Sequence, residues 1–212
     1  MGVVFDVDGT LLDTYQVVRA SYIDVFNKYL PNLKYDEDLL KSFFGPPLFD
    51  TFYQVTKDEN FSKKLIEYYR LSQKEISAKL LKPFLGAKEL ISDLHKKGIK
   101  LGILSNKAKE AIIEGFNTVG LPLYFEKIIG VYDIANPKPF PDGLLYFKDL
   151  FREDIFMVGD SVIDIKTAQN ANVKSIAVTW GITETSILKQ AQADWIVDSF
   201  PELSELIIKL HK

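Results

Sequence analysis

Asp6 and Asp8 stand two residues apart at the end of a short apolar run, Val3-Val4-Phe5, with Gly9-Thr10 directly behind them. Side chains alternate across a strand, so the two carboxylates project on one side if strand geometry persists through them. Gly9 permits a sharp turn or a close ligand approach, having no Cβ. A pair of acids at the C-terminal end of a strand is where open α/β sheets place their chemistry. The pair offers a nucleophile and a proton donor in one loop. Asp-x-Asp-Gly also occurs in ordinary turns, so the reading depends on what the rest of the chain brings beside it.

Three further segments have the right composition and follow apolar runs. Ser105-Asn106 follows Ile99–Leu104, Lys138 lies between prolines in Asn136-Pro137-Lys138-Pro139, and Gly159-Asp160-Ser161 with Asp164 follows Ile155–Val158. Each alone reads as a turn, a solvated loop or a helix cap. Together, in this order and each at a strand end, they fit phosphoryl transfer. A carboxylate approaching a phosphoryl dianion is repelled by roughly 4 kcal/mol per charge pair at 4 Å and an effective dielectric near 20. Cations are therefore needed. Asp6 and Asp160 suit Mg²⁺, a hard cation that takes oxygen ligands. Lys138 adds fixed positive charge on a backbone restricted by proline, and Ser105 and Asn106 can donate to phosphoryl oxygens.

The elements that must position these loops alternate in type. Apolar strands are expected at Ile99–Leu104, Lys127–Val131, Ile155–Val158, Val173–Val178 and Trp195–Val197. Helical patterns fall at Ala87–Lys97, Ala108–Val119, Gly143–Leu150, Ile163–Asn170 and Pro201–Leu210. This is the pattern of an α/β protein with a doubly wound, Rossmann-like parallel sheet covered on both faces. Residues 14–81 carry helical periodicity alone (Val17, Val18, Tyr22, Val25, Phe26, then Leu65, Ile66, Tyr69) and predict an inserted four-helix cap. The expected division is 1–13 with 82–212 as the core and 14–81 as the cap, with Lys82–Gly86 as the return linker.

The 212 residues are 47% hydrophobic and 26% charged with net charge -3, as in an ordinary globular protein and unlike a basic nucleic-acid binder. The absence of cysteine excludes disulfides, thiolate metal sites and thiol catalysis. No apolar run reaches membrane-spanning length and no signal-peptide pattern opens the chain. The expectation is a cytoplasmic protein that binds neither nucleic acid nor membrane, as a monomer or weak homodimer.

Asp6-Val7-Asp8-Gly9-Thr10, Ser105-Asn106, Lys138 and Gly159-Asp160-Ser161-Val162-Ile163-Asp164 together resemble the signature of the haloacid dehalogenase-like hydrolase superfamily, over essentially the whole chain. The resemblance implies that Asp6 forms an aspartyl-phosphate and that Asp8 acts as acid, then base. It further implies that Asp6, the Asp8 carbonyl, Asp160 and Asp164 hold or support Mg²⁺, and that Thr10, Ser105, Asn106 and Lys138 bind the phosphoryl oxygens. The second Asp separates phosphatases from carbon-attacking dehalogenases. Phe43-Phe44-Gly45-Pro46-Pro47-Leu48 and Lys138-Pro139-Phe140-Pro141-Asp142 are most similar to the phosphoglycolate phosphatase-like group, with β-phosphoglucomutase a near relative.

The expected activity is therefore Mg²⁺-dependent hydrolysis of a small phosphorylated metabolite, a phosphoglycolate-like phosphomonoester. The alternatives are a sugar phosphomutase and a non-catalytic ligand-binding member. No arginine stands in the Gly45-Pro46-Pro47 loop to hold a mutase's distal phosphate. Arg19 is the candidate for a distal-group contact, weighed against a plain solvated helix residue. Phe43, Phe44, Phe49, Phe52 and Tyr53 are expected mainly in the cap interior, with one or two reaching the cleft.

Overall fold

The computed structural model describes residues 1–211. In chain order, β1 (Gly2–Phe5) leads through a tight loop to β2 (Leu12–Asp13). Four helices follow: α1 (Tyr15–Tyr29), α2 (Glu37–Ser42), α3 (Leu48–Thr56) and α4 (Glu59–Leu80). Then come β3 (Lys82–Pro83), α5 (Ala87–Lys96), β4 (Lys100–Leu104), α6 (Lys109–Val119), β5 (Lys127–Ile129) and α7 (Asp142–Phe151). The chain closes with β6 (Ile155–Gly159), α8 (Val162–Asn170), β7 (Lys174–Val178), α9 (Thr185–Gln190), β8 (Trp195–Val197) and α10 (Phe200–His211).

Six strands form one sheet in the order β5-β4-β1-β6-β7-β8, and every pairing is parallel. The chain winds outward from β1 to one side through β4 and β5, then to the other through β6, β7 and β8. The direction reverses between β1 and β6, and ligand crevices open beyond the strand ends at such a switch point. Asp6 and Asp160 immediately follow those two strands.

Both faces of the sheet are covered, as continuous apolar strands require. Val3 and Phe5 join the core beneath α5, α6 and α10, built with Leu90, Ile103, Phe116, Val158 and Leu203. Val4 points the other way and packs with Leu104, Phe147, Phe151 and Met157 under α7 and α8. The helices α1 to α4 have a separate interior: Tyr22, Val25 and Phe26 of α1 meet Phe43, Phe52, Leu65 and Tyr69. Asp36 and Asp58 cap α2 and α4 by accepting from the Leu39 and Phe61 amides at 2.9 and 3.0 Å.

The linker expected at residues 82–86 is partly ordered as a strand. Lys82 and Pro83 pair antiparallel with Asp13 and Leu12, so the exit from the core and the return to it are stitched side by side. The helix α9 had no expectation in the sequence; its short polar pattern offers one buried apolar residue, Leu188. Among the described residues no helix is long and apolar enough to cross a membrane.

Candidate active site

Strand pairing ends as the Asp6 amide donates to the Val158 carbonyl at 2.9 Å. The chain then turns: the Val7 carbonyl accepts from the amides of Thr10, Leu11 and Leu12, and Gly9 sits at φ 79°. Strand alternation therefore does not carry on to Asp8. A turn delivers that residue instead, and both carboxylates still line one cavity. Gly9 is required for close approach as well as for its φ. A Cβ there would lie 2.3 Å from an Asp160 carboxylate oxygen, and one on Gly181 would lie 2.2 Å away.

Asp6, Asp160 and Asp164 each bring a carboxylate oxygen within 4.8 Å of the others, all three buried. Lys138 threads between them, its ammonium 3.0 Å from Asp6 Oδ1 and 2.5 Å from Asp164 Oδ1. Burial opposes the Lys138 charge, but the Asp164 and Asp6 carboxylates more than offset it and hold its pKa above the ordinary value. Burial pushes Asp6 up to about 6; Lys138 pulls it down, the Asp164 and Asp8 charges push it up, and Ser105 lowers it slightly. Asp160 is held well above the usual carboxylate range, first by burial and then by Asp164 and Asp6. A single lysine does not balance three clustered acids.

The donor set fits a divalent cation. Asp6 Oδ1 and Asp160 Oδ2 are buried without a hydrogen-bond partner, the Lys138 contact to Asp6 being an ion pair off the line of a hydrogen bond. Such orphaned acceptors are costly unless a cation completes them. Asp164 differs. Its Oδ1 accepts from Lys138, and its Oδ2 accepts from the Ser161 amide and hydroxyl at 3.1 and 2.6 Å, closing a capping box at the start of α8. With both oxygens engaged, Asp164 fixes Lys138 more than it offers a free ligand atom.

The remaining sequence-selected residues are also here, in varied postures. Thr10 lies 3.4 Å from Asp160 Oδ1, a long contact. Ser105 is buried, its amide bonded to the Ile129 carbonyl. Asn106 is used structurally: its Nδ2 donates to the carbonyls of Lys138 and Gly45, both at 3.0 Å. It joins the lysine loop to the cap. Arg19 lies apart, its Nε donating to both carboxylate oxygens of Glu37 at 3.1 and 3.0 Å, and it does not line the cavity. The distal-group expectation for Arg19 is not met, because Glu37 on the neighbouring helix claims its guanidinium.

Two cations that sequence reasoning passed over do line the cavity: Lys107 and Arg70. Lys107 donates to both oxygens of Asp8 at 3.0 and 3.1 Å. The available signal was its place directly after Ser105-Asn106, on the same strand-end loop. Arg70 follows the buried Tyr69 on α4 and donates to the Tyr132 hydroxyl at 2.9 Å, crossing from cap to core. Phe43, Phe44 and Phe49 also line the cavity, while Phe52 belongs to the cap interior and Tyr53 is exposed.

Residues 3–178 match the haloacid dehalogenase-like hydrolase family. A relative from Bacillus cereus strain B4264, called pyrophosphatase PpaX, is 32% identical over 99% of this chain and 97% of its own. The crystal structure of a predicted phosphatase from Clostridium acetobutylicum superposes with a TM-score of 0.85 at 30% identity, over 98% of this chain and 97% of the other. That of a predicted phosphoglycolate phosphatase from Haemophilus somnus 129pt shares the fold at a TM-score of 0.86 and 21% identity, covering 100% and 97% of the two chains. With a buried triad of acids at the switch point and this match over most of its length, the chain belongs to the haloacid dehalogenase-like hydrolases and is an enzyme of that family.

Proposed function

We propose that the protein is a Mg²⁺-dependent phosphatase acting on a small phosphorylated metabolite, with residues 1–13 and 82–212 as catalytic core and 14–81 as cap. The observation that carries this reading is the placement of Asp6: one buried carboxylate faces the cavity, touches Lys138 and shares a cluster with Asp160. Asp6 and Asp160, with their unpartnered oxygens, would hold the ion, and Asp164 would support it through Lys138. The bound cation supplies positive charge that offsets the repulsion between attacking carboxylate and phosphoryl group.

In the first step a carboxylate oxygen of Asp6 bonds to phosphorus as the bond to the leaving oxygen breaks. Asp8, protonated before the step and released from its ion pair with Lys107, delivers that proton to the leaving oxygen. Asp8 then takes a proton from a water whose oxygen attacks the phosphoryl group, releasing inorganic phosphate and restoring the Asp6 carboxylate. Lys138 and Ser105 hold phosphoryl oxygens through both steps. The cap, joined to the core through Asn106 and Arg70, keeps bulk water away from the intermediate.

The cavity measures about 100 Å³. A second cavity of about 750 Å³ shares Arg70, Gln73, Lys107, Ala108 and Ala111 with it. A phosphoglycolate-like substrate is favoured over the mutase alternative because no arginine stands in the Gly45-Pro46-Pro47 loop to hold a distal sugar phosphate. Inorganic pyrophosphate is the second reading, favoured by the relatives named pyrophosphatase. A cytoplasmic location is part of the same proposal, suited to a cysteine-free enzyme of small metabolites.

The test is inorganic phosphate release from a panel of phosphomonoesters and pyrophosphate, with Mg²⁺ and with EDTA. Sustained release with Mg²⁺ and its loss in EDTA is the expected result. No release from any substrate, or sugar-phosphate isomerisation without release, would overturn the reading.

A further inference from the structure

Among the charged side chains lining the cavity, Asp6 and Asp8 are the acids, and Lys107 and Arg70 are the cations. Lys138 is unlike these two cations, being locked between Asp6 and Asp164 with 3% of its side chain exposed. It serves the phosphoryl end. Lys107 pairs with Asp8 instead, at 14% side-chain exposure against 18% for Asp8. Arg70 reaches the same space from the cap, with its guanidinium 5.3 Å over the Tyr132 ring.

Lys138 pairs with Asp6 and Lys107 with Asp8, so the two acids of the cavity carry different cations. Phosphorus must lie against Asp6, and the leaving oxygen within reach of Asp8. Whatever is attached to the leaving oxygen then meets the group paired with Asp8, the Lys107 ammonium. The wall also holds the apolar Phe43, Phe44, Pro46 and Pro47 and the neutral polar Gln73 and Tyr132. Lys107 is paired with Asp8, while the exposed Arg70 meets the neutral Tyr132 hydroxyl and ring, so an incoming anion adds a charge partner to each.

We infer that Lys107 and Arg70 form a subsite for a second anionic group carried on the leaving side of the substrate, one cation from the core loop and one from the cap. The inference deepens the phosphatase reading and rests on it. Either a carboxylate or a second phosphoryl group satisfies the shared chemistry. Arrival of that anion draws the Lys107 ammonium off the Asp8 carboxylate and leaves Asp8 free to take up a proton from water and carry it to the leaving oxygen. Arg70 closes over the same anion from a residue that already bridges cap and core. Esters without the second charge gain neither contact.

The experiment compares kcat/KM for inorganic pyrophosphate and for 2-phosphoglycolate with kcat/KM for phenyl phosphate, whose leaving group is neutral. The wild-type enzyme, Lys107→Met and Arg70→Met are measured with Mg²⁺, and thermal melts check the fold of both variants. The wild type is expected to prefer at least one doubly anionic substrate. Loss of one charged donor is expected to lower that preference about tenfold or more in Lys107→Met, whatever the variant does to phenyl phosphate. A smaller fall, or equal losses on all three substrates as for a residue that only orients Asp8, overturns the inference. A fall below about threefold in Arg70→Met removes the cap half of the subsite. A wild type that favours phenyl phosphate overturns the inference and leaves the phosphatase reading standing; one that hydrolyses nothing overturns that reading instead.

Discussion

At the C-terminal edge of the sheet, Asp6, Asp160, Asp164 and Lys138 are buried with 6%, 1%, 1% and 3% exposure. In the interior of the cap, Tyr22 is buried just as completely, but its ring meets those of Phe26, Phe43, Phe52 and Tyr69 at centroid distances of 4.8 to 5.7 Å. Its hydroxyl finds one partner, Thr51 Oγ1, at 2.7 Å. The two regions exclude water to the same extent by different means. At the sheet edge each charge sets its neighbours' protonation, so no member can be exchanged without disturbing the rest. In the cap, non-directional apolar contact carries the structure, and volume-conserving exchanges are tolerated. The charge arrangement is fixed in the first region, and the shape of the cavity wall is free to vary in the second.

Asp6→Asn tests the first half of this contrast most severely. Removing the proposed nucleophile should lower kcat by on the order of 10⁴-fold, about 5 kcal/mol in the barrier. The fold should tolerate the change, since a neutral amide replaces a carboxylate that burial already pushes up to about 6. Single-turnover phosphate release and a thermal melt on sequence-verified, undeamidated protein check both parts. Appreciable turnover would exclude covalent catalysis by Asp6.

Phe52→Ala probes the second half. Truncating a fully buried Phe costs about 3–5 kcal/mol. The loss should fall in the cap: amide hydrogen exchange should quicken in α1, α3 and α4 while β1, β4 and β6 keep their protection. If protection falls equally in the sheet, cap and core unfold as one unit and the two interiors are not energetically separate.

A bound cation would link protonation to stability at the sheet edge. Asp6 has a folded pKa of about 6, above its ordinary 3.8, so the folded protein binds a proton there that the unfolded chain releases. Without metal, the stability this group contributes is fully present below pH 3.8 and is lost as pH rises through about 6. With Mg²⁺ the sign reverses, because the ion binds the deprotonated carboxylate. At a hundred times its dissociation constant it should add about 2.7 kcal/mol, raising Tm by roughly 5–11 °C. The increment should appear at pH 7.5, shrink toward pH 5 and vanish in Asp160→Asn. Melts across that pH range with Mg²⁺ or EDTA measure it.

The contrast also explains what the sequence could convey. Asp6, Asp160 and Lys138 announce themselves because buried charge is rare and each lies in a loop with its own punctuation, Gly9, Gly159 and the prolines beside Lys138. The alternation of strands and helices gave the parallel sheet, and helical periodicity over residues 14–81 gave the four helices α1 to α4. Pairings between distant side chains have no such local mark. Nothing near Arg19 distinguishes a cavity cation from one held by Glu37 eighteen residues on. The engagement of Asn106 with the Gly45 carbonyl needs two loops 61 residues apart to meet. The β2–β3 stitch is also too short to register as periodicity.

The smallest expected effect lies where the two regions touch at the surface. Lys74 of α4 lies 3.1 Å from Glu114 of α6, with side chains 70% and 53% exposed. Water and salt screen such a pair to about 0–1 kcal/mol, so Lys74→Ala should move Tm by no more than about 4 °C. Its effect should fade further in 0.5 M salt, where the Debye length shrinks to roughly half its physiological ~8 Å. Asn106→Ala breaks a shielded bridge between the same two regions and leaves the Gly45 and Lys138 carbonyls without their donor, a loss of about 1–3 kcal/mol that salt should not relieve. Melts of the two variants at low and high salt separate the cases. If Lys74→Ala proves the more damaging, the cap is held by its surface charges, and the shielded contact at Asn106 is not what joins it to the core.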